Sequence, residues 1–188
     1  MISVDPAKTA LLLMDFQNRI IGMVGDQGPT LLERAQKARD AARDAGIAVM
    51  YVRVAFSATD YAAISPRNKS FTALAGNRFL TDGSPEADIH ADLTPAADEE
   101  VFTKTRVGAF STTDLQSRLK ARGIDTLVLA GITTSGCVLS TLRDAADHDY
   151  KLFVLSDCCA DADAEVHRVL MEKTFPRQAD VITLADFS

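Results

Sequence analysis

The chain has 188 residues, 47% hydrophobic and 24% charged, with 20 Lys and Arg against 26 Asp and Glu for a net charge of −6. That length supports one domain over residues 1–188, burying about 70% of its unfolded surface, and leaves too little for two full domains. The acidic balance, with no basic stripe, excludes the usual nucleic-acid binder, and no apolar run approaches the ~18 residues of a membrane span.

The first residues, Met1-Ile2-Ser3-Val4-Asp5-Pro6, lack the basic and apolar regions of a secretory leader. Three cysteines, Cys137, Cys158 and Cys159, cannot build a disulfide framework. The expectation is a cytoplasmic protein without contact to membrane or nucleic acid.

In chain order, the first apolar run spans 10–14 and is continuous rather than alternating. A strand buried on both faces of a parallel sheet reads this way. Residues 30–45 place Leu31, Leu32, Ala35, Ala38, Ala42 and Ala45 at three-to-four spacing before Gly46, which predicts a helix and its stop. A second strand is expected at 48–54.

Residues 55–100 have no convincing periodicity and hold Pro66, Pro85, Pro95, Gly76 and Gly83. A connection this long is a lid, a binding loop or an oligomer contact. Phe71, Leu74, Phe79 and Leu80 offer apolar anchors, so an ordered excursion beside the site is expected rather than disorder.

A short strand at 101–103 follows, then a helix at 113–122 carrying Leu115 and Leu119, capped by Ser111 or Thr112 and stopped by Gly123. Strand 126–130 leads to helix 136–149, with Val138, Leu142, Ala145 and Ala146 on one face. Strand 151–155 precedes helix 162–174, with Val166, Val169, Leu170 and Lys173 after a cap at Asp161 or Asp163. The last strand is at 180–183. This alternation argues for an α/β domain with a parallel sheet between helices. Right-handed crossovers place the strand carboxyl ends on one edge, where open α/β sheets bind ligands.

Asp15 follows the first strand and Lys104 ends the third. Gly131-Ile132-Thr133-Thr134-Ser135-Gly136 follows the fourth and leads to Cys137 at a helix start, while Ser156 and Asp157 follow the fifth. Each has a structural reading: Asp15 as a turn cap, Lys104 as a strand end reaching into solvent, Cys137 as a small buried hydrophobe. Together on one edge they form a site. A thiol of pKa ~8.5 is mostly protonated at neutral pH and needs activation. A helix amino terminus and an ammonium both favour the thiolate, the latter by about 4 kcal/mol at 4 Å in an effective dielectric of 20. Asp15 would accept the thiol proton and keep Lys104 charged, as His does in other cysteine hydrolases.

Three segments carry a family resemblance: Leu13-Met14-Asp15-Phe16-Gln17-Asn18, Lys104-Thr105-Arg106-Val107-Gly108-Ala109-Phe110, and Gly131-Ile132-Thr133-Thr134-Ser135-Gly136-Cys137-Val138. In this order they resemble the three signatures of the isochorismatase-like cysteine hydrolase family, from about residue 8 to the carboxyl terminus. Thr141-Leu142-Arg143-Asp144-Ala145-Ala146 is similar to the family's helix after the nucleophile. The resemblance implies Asp15, Lys104 and Cys137 as a catalytic triad and a cis peptide between Ile132 and Thr133. It further implies that the backbone N–H groups of Thr133 and Cys137 form an oxyanion hole. The implied fold is a three-layer αβα sandwich around a six-stranded parallel, Rossmann-like sheet, assembled as dimers or tetramers.

One branch of the family, the nicotinamidases, carries an Asp-x-His metal site after its second strand. Here that region reads Tyr51-Val52-Arg53-Val54-Ala55-Phe56-Ser57. His90, His148 and His167 are scattered, the last two in polar helix stretches that suggest a solvated face, so neither catalytic zinc nor another cofactor is expected. No G-x-G-x-x-G, P-loop or G-x-S-x-G motif appears. Cys158-Cys159 lacks C-x-x-C spacing and reads as core or helix start.

The expected activity is metal-independent hydrolysis of an amide or ureido C–N bond in a small molecule, through a thioester on Cys137. Phe16, Phe79 and Phe110 are candidates for an apolar wall, and Gln17 for a polar contact. Arg19, Arg78 and Arg106 could hold a carboxylate. Two rivals stand beside this reading: vinyl-ether hydrolysis of the isochorismatase type without a thiol nucleophile, and a non-catalytic oligomeric scaffold.

Overall fold

The computed structural model describes residues 3–187. In chain order the elements are β1 (Thr9–Met14), α1 (Asn18–Ile21), α2 (Gly28–Asp44), β2 (Ala48–Val54), α3 (Ala58–Ala62), α4 (Lys69–Asn77), β3 (Glu100–Lys104), α5 (Leu115–Ala121) and β4 (Thr126–Ile132). After a wide helical turn (Thr134–Val138) come α6 (Leu139–Asp147), β5 (Lys151–Ala160), α7 (Ala164–Val169), β6 (Asp180–Ile182) and α8 (Leu184–Phe187). The six strands lie in the order β3-β2-β1-β4-β5-β6, all parallel. Strand order reverses between β1 and β4, and open sheets of this kind open a crevice at that point. Among the described residues, no helix is long and apolar enough to cross a membrane.

Every residue of β1 is buried, which explains its unbroken apolar run. Leu11 and Leu13 face one core layer, and Ala10, Leu12 and Met14 the other. Burying each leucine contributes about 1.5–3 kcal/mol. On the first layer α2 lays Leu31, Leu32, Ala35, Ala38 and Ala42 against the sheet; its small residues let helix and strands approach. On the second, Leu115 and Leu119 of α5 and Leu142 and Ala145 of α6 join one buried cluster with the sheet.

Several boundaries differ from expectation. Helix α5 begins at Leu115, and Thr113 Oγ1 accepts its N–H at 3.2 Å, so the cap is neither Ser111 nor Thr112. Asp163 caps α7, accepting from Glu165 N–H and Val166 N–H, which leaves Asp161 for another task. Strand β5 runs past Ser156 and Asp157 to Ala160 after a register shift that pairs Gly131 with Cys159. Cys158 and Cys159 are therefore buried strand residues, one in each core layer.

Residues 55–100 are ordered. They form α3, closed by a capping box between Ser57 and Asp60, then α4, capped by Asn68, then a strap over the end of β1. Gln17 pins the strap. Its Nε2 donates to Val54 O at 2.8 Å and Ala87 O at 2.7 Å, and its Oε1 accepts Val54 N–H at 2.8 Å. Asn18 N–H to Asp88 O, Arg19 N–H to Glu86 O and His90 N–H to Phe16 O extend the seam.

Gln17→Leu should strand three buried backbone groups. We expect a stability loss of about 3 kcal/mol in urea denaturation; a change near zero would show that the strap is held by other contacts.

Candidate active site

Asp15 ends β1 with its N–H still bonded to Val52 O at 2.8 Å, and there the backbone turns to φ +61°. This left-handed region is uncommon outside glycine, though aspartate is enriched in it. The turn directs the carboxylate along the strand-end edge. Lys104 is the last residue of β3, on the sheet edge, and is only 1% exposed. Its ammonium reaches across β2 to donate to Asp15 Oδ2 and to Val107 O, each at 2.7 Å.

Cys137 lies in the wide turn after β4. Its thiol donates to Ile132 O at 3.1 Å, and the Ile132–Thr133 peptide before it is cis. Glycine is needed where the two strands meet: a Cβ on Gly131 would sit 2.7 Å from Met14 O and 3.4 Å from Cys137 Sγ. At Gly136 a Cβ would lie 2.6 Å from Thr133 Oγ1.

Asp15 Oδ1 is buried and accepts no hydrogen bond. Burial pushes the Asp15 carboxyl pKa up, while the Lys104 charge and hydrogen bond oppose the rise. Burial also raises the Cys137 thiol well above its ordinary value, and the Asp15 charge adds to this against the pull of Lys104. The sequence suggested a thiolate poised by Lys104. In the resting site the desolvation of that buried sulfur dominates, and together with the Asp15 charge it outweighs the pull of Lys104 and opposes the thiolate. A raised Asp15 pKa makes its carboxylate a stronger base.

Two residues hold the turn that carries Cys137, and neither was singled out for this from sequence. Asp161, at the end of β5, accepts Ser135 N–H at 2.7 Å. His167 of α7 places Nδ1 2.8 Å from the hydroxyl of fully buried Thr134. Burial lowers the His167 pKa, so its expected solvated face is replaced by a contact with the turn. The only available signal was the position of α7 after a strand that ends on the same edge. His148, by contrast, is exposed and meets the Phe110 ring edge-on.

The three groups share one cavity of about 270 Å³, with Thr133 and Gly136 also on its wall. Larger recesses occur elsewhere, including one of about 460 Å³ around Arg43 and Glu99 at the opposite edge of the sheet, but none touches Asp15, Lys104 or Cys137. Of the substrate-contact candidates, Arg106 alone lies on this wall. Phe16 is 1% exposed in the core, and Gln17 is occupied by the strap. Arg19 covers the Phe79 ring at 4.6 Å outside the cavity. Arg78 ends α4 in the left-handed region, exposed. Phe110 stacks on Tyr150 toward the other core layer. The apolar wall comes instead from Ile20, Met23, Val54, Phe71, Leu74, Leu80 and Val107. Among the described residues, no three His, Cys, Asp or Glu side chains gather as a metal site.

A parallel sheet with acid, lysine and cysteine at its carboxyl edge defines a class of α/β hydrolytic enzymes, and comparison with known proteins gives the family. The chain matches the Isochorismatase domain over residues 9–186 and belongs to the isochorismatase family of hydrolases. It is 28% identical to a maleamate amidohydrolase of Pseudomonas putida, covering 95% of this chain and 84% of that one. It is 35% identical to a ureidoacrylate amidohydrolase of Acinetobacter baylyi, covering 93% and 80%. A crystal structure of a cysteine hydrolase from Pseudomonas syringae pv. phaseolicola superposes with a TM-score of 0.88 at 25% identity, covering 97% of this chain and 92% of that one.

Two outcomes follow from the electrostatics. Lys104→Met removes the cation that opposes the rise of the Asp15 pKa. Because the folded-state pKa lies above the unfolded one, stability falls as pH climbs from about 4 through the folded value. The variant should therefore stay closest to the parent in acid and fall behind by about 3–5 kcal/mol near pH 8, as read by denaturation across pH. Asp15→Asn removes the negative charge that raises the thiol. Its Cys137 should react with iodoacetamide at lower pH than the parent's, whose thiol burial and the Asp15 charge push up; an unchanged profile would show that the Asp15 charge does not act on the thiol.

Proposed function

We propose that the protein hydrolyses the C–N bond of a small amide or ureido compound through a thioester on Cys137, without a metal ion. The observation that carries this reading is a buried Asp15 oxygen with no hydrogen-bond partner, coupled to the Cys137 thiol on the wall of one cavity. An unpartnered buried carboxylate oxygen costs about 1–3 kcal/mol, and a proton acceptor is what that position serves. The amidohydrolase activities named for the two relatives support the choice of bond.

In the first half-reaction Sγ adds to the substrate carbonyl carbon and its proton passes to Asp15 Oδ1. The carbonyl oxygen becomes an oxyanion held by the N–H groups of Thr133 and Cys137, a pair worth a few kcal/mol to such a transition state. Asp15 then gives the proton to the departing nitrogen; the C–N bond breaks and ammonia or an amine leaves. Water adds to the thioester with Asp15 as base, the C–S bond breaks, and the thiol recovers its proton. Lys104 stays charged throughout. It fixes the orientation of Asp15 through Oδ2 and lowers the cost of the transient thiolate.

Cys137→Ala should keep the melting temperature within a few degrees and reduce ammonia release from a panel of small amides and ureido acids by about 10⁴-fold or more. The parent, quenched during turnover, should show a mass adduct on the peptide carrying Cys137. Retained turnover in Cys137→Ala would overturn the covalent route and favour vinyl-ether chemistry.

A further inference from the structure

We infer that His167 is a positioning residue for the reaction: as a neutral imidazole it accepts a hydrogen bond from the Thr134 hydroxyl and so fixes the turn that presents Cys137. This rests on the hydrolytic reading above and adds to it a residue outside the cavity. Thr134 and Ser135 lie in the chain between Thr133 and Cys137, the two residues whose N–H groups are assigned to the oxyanion. The turn Thr134–Val138 is wider than an α-helix, a form that is rare and short. Both of its first residues are tethered from outside it. Ser135 N–H donates to Asp161 Oδ2 at 2.7 Å, and Thr134 Oγ1 stands 2.8 Å from His167 Nδ1.

The hydroxyl decides which form of the imidazole is present. Thr134 is fully buried, and among the described residues its hydroxyl has no other hydrogen-bond partner. An imidazole with its proton on Nδ1 would donate to Oγ1 and leave the hydroxyl hydrogen buried without an acceptor, which is penalised. With Nδ1 bare and the proton on Nε2, the hydroxyl donates and that hydrogen is paired. Burial also disfavours a charged His167, against the opposing pull of Asp161. The other acids of α7 are engaged elsewhere: Asp163 caps the helix and Glu165 pairs with Arg168.

His167 is not on the cavity wall, so it acts through the turn and not on the ligand. A reacting group misplaced by about 1 Å can cost about 10²-fold in rate, and the Thr134 tether holds the chain between both oxyanion donors. Cys137 itself is 3% exposed, so its alkylation reports how firmly the turn is held.

The first test is spectroscopic. Long-range proton–nitrogen NMR on the labelled parent should show His167 with a bare Nδ1 and a protonated Nε2, its signal assigned by its loss in His167→Asn. A protonated Nδ1 in the folded parent overturns the proposal, whatever the variants do. The second test compares Thr134→Val, which removes the hydroxyl at nearly equal shape, His167→Leu, the two combined, and His167→Asn, whose amide oxygen can stand in for Nδ1. Alkylation of Cys137 by iodoacetamide should quicken about tenfold in Thr134→Val and in His167→Leu, and no further in the double variant. His167→Asn should recover most of the parent's protection. In ammonia release, kcat should fall about ten- to hundredfold in the first three with KM nearly unchanged. Equal alkylation rates across the set, effects that add in the double variant, or His167→Asn behaving like His167→Leu overturns the proposal. If the protein hydrolyses no amide, the tautomer and the alkylation rates still decide whether His167 holds the turn, so the two readings fail separately.

Discussion

A lysine ammonium and an aspartate carboxylate, 2.7 Å apart and almost without solvent, tie the outer strand β3 to the central strand β1 across the whole width of β2. Burying either charge alone would cost several kcal/mol, and their attraction offsets that only while both are held in register. The pair therefore constrains everything nearby. Lys104 also donates to Val107 O, which fixes the loop after β3 and with it Arg106. Asp15 takes a left-handed backbone turn to meet the lysine, and its second oxygen is buried without a hydrogen-bond partner.

Burial raises both the acid and the thiol, so the site opposes a free thiolate beside the carboxylate. A carboxylate of raised basicity beside a neutral thiol is suited to moving one proton in step with bond formation. The turn that carries the thiol is braced by Asp161 and His167.

The sheet was legible because burial on both faces leaves an unbroken apolar run, as in β1 and β4, where every residue is buried. Asp15, Lys104 and Cys137 were legible because strand carboxyl ends share one edge. The wall of the cavity was not, and the reason is geometric. Phe16 adjoins Asp15 in sequence, but after the left-handed turn at Asp15 it is seated in the core. Phe110 lies beyond Gly108, whose Cα packs close to Asp144 and Ser140, and so joins the opposite layer. Phe71 and Leu74 come from α4, far from any motif, in a stretch whose short helices break periodicity. The extension of β5 to Ala160 was hidden by a register shift that no local pattern announces.

The origin of that wall separates two kinds of change open to the protein over evolutionary time. Asp15, Lys104 and Cys137 stand at or just past the carboxyl ends of β1, β3 and β4, and all three side chains are buried, so a substitution there disturbs the packed edge of the sheet. Much of the surface that meets the rest of a ligand, from Phe71 to Leu80, comes from the excursion between β2 and β3, which adds no strand to the sheet. Side chains there can be exchanged without altering the pairing of the six strands. Substrate range can thus drift while the chemistry is inherited intact, and two descendants of one ancestor could share every reacting atom yet take different molecules.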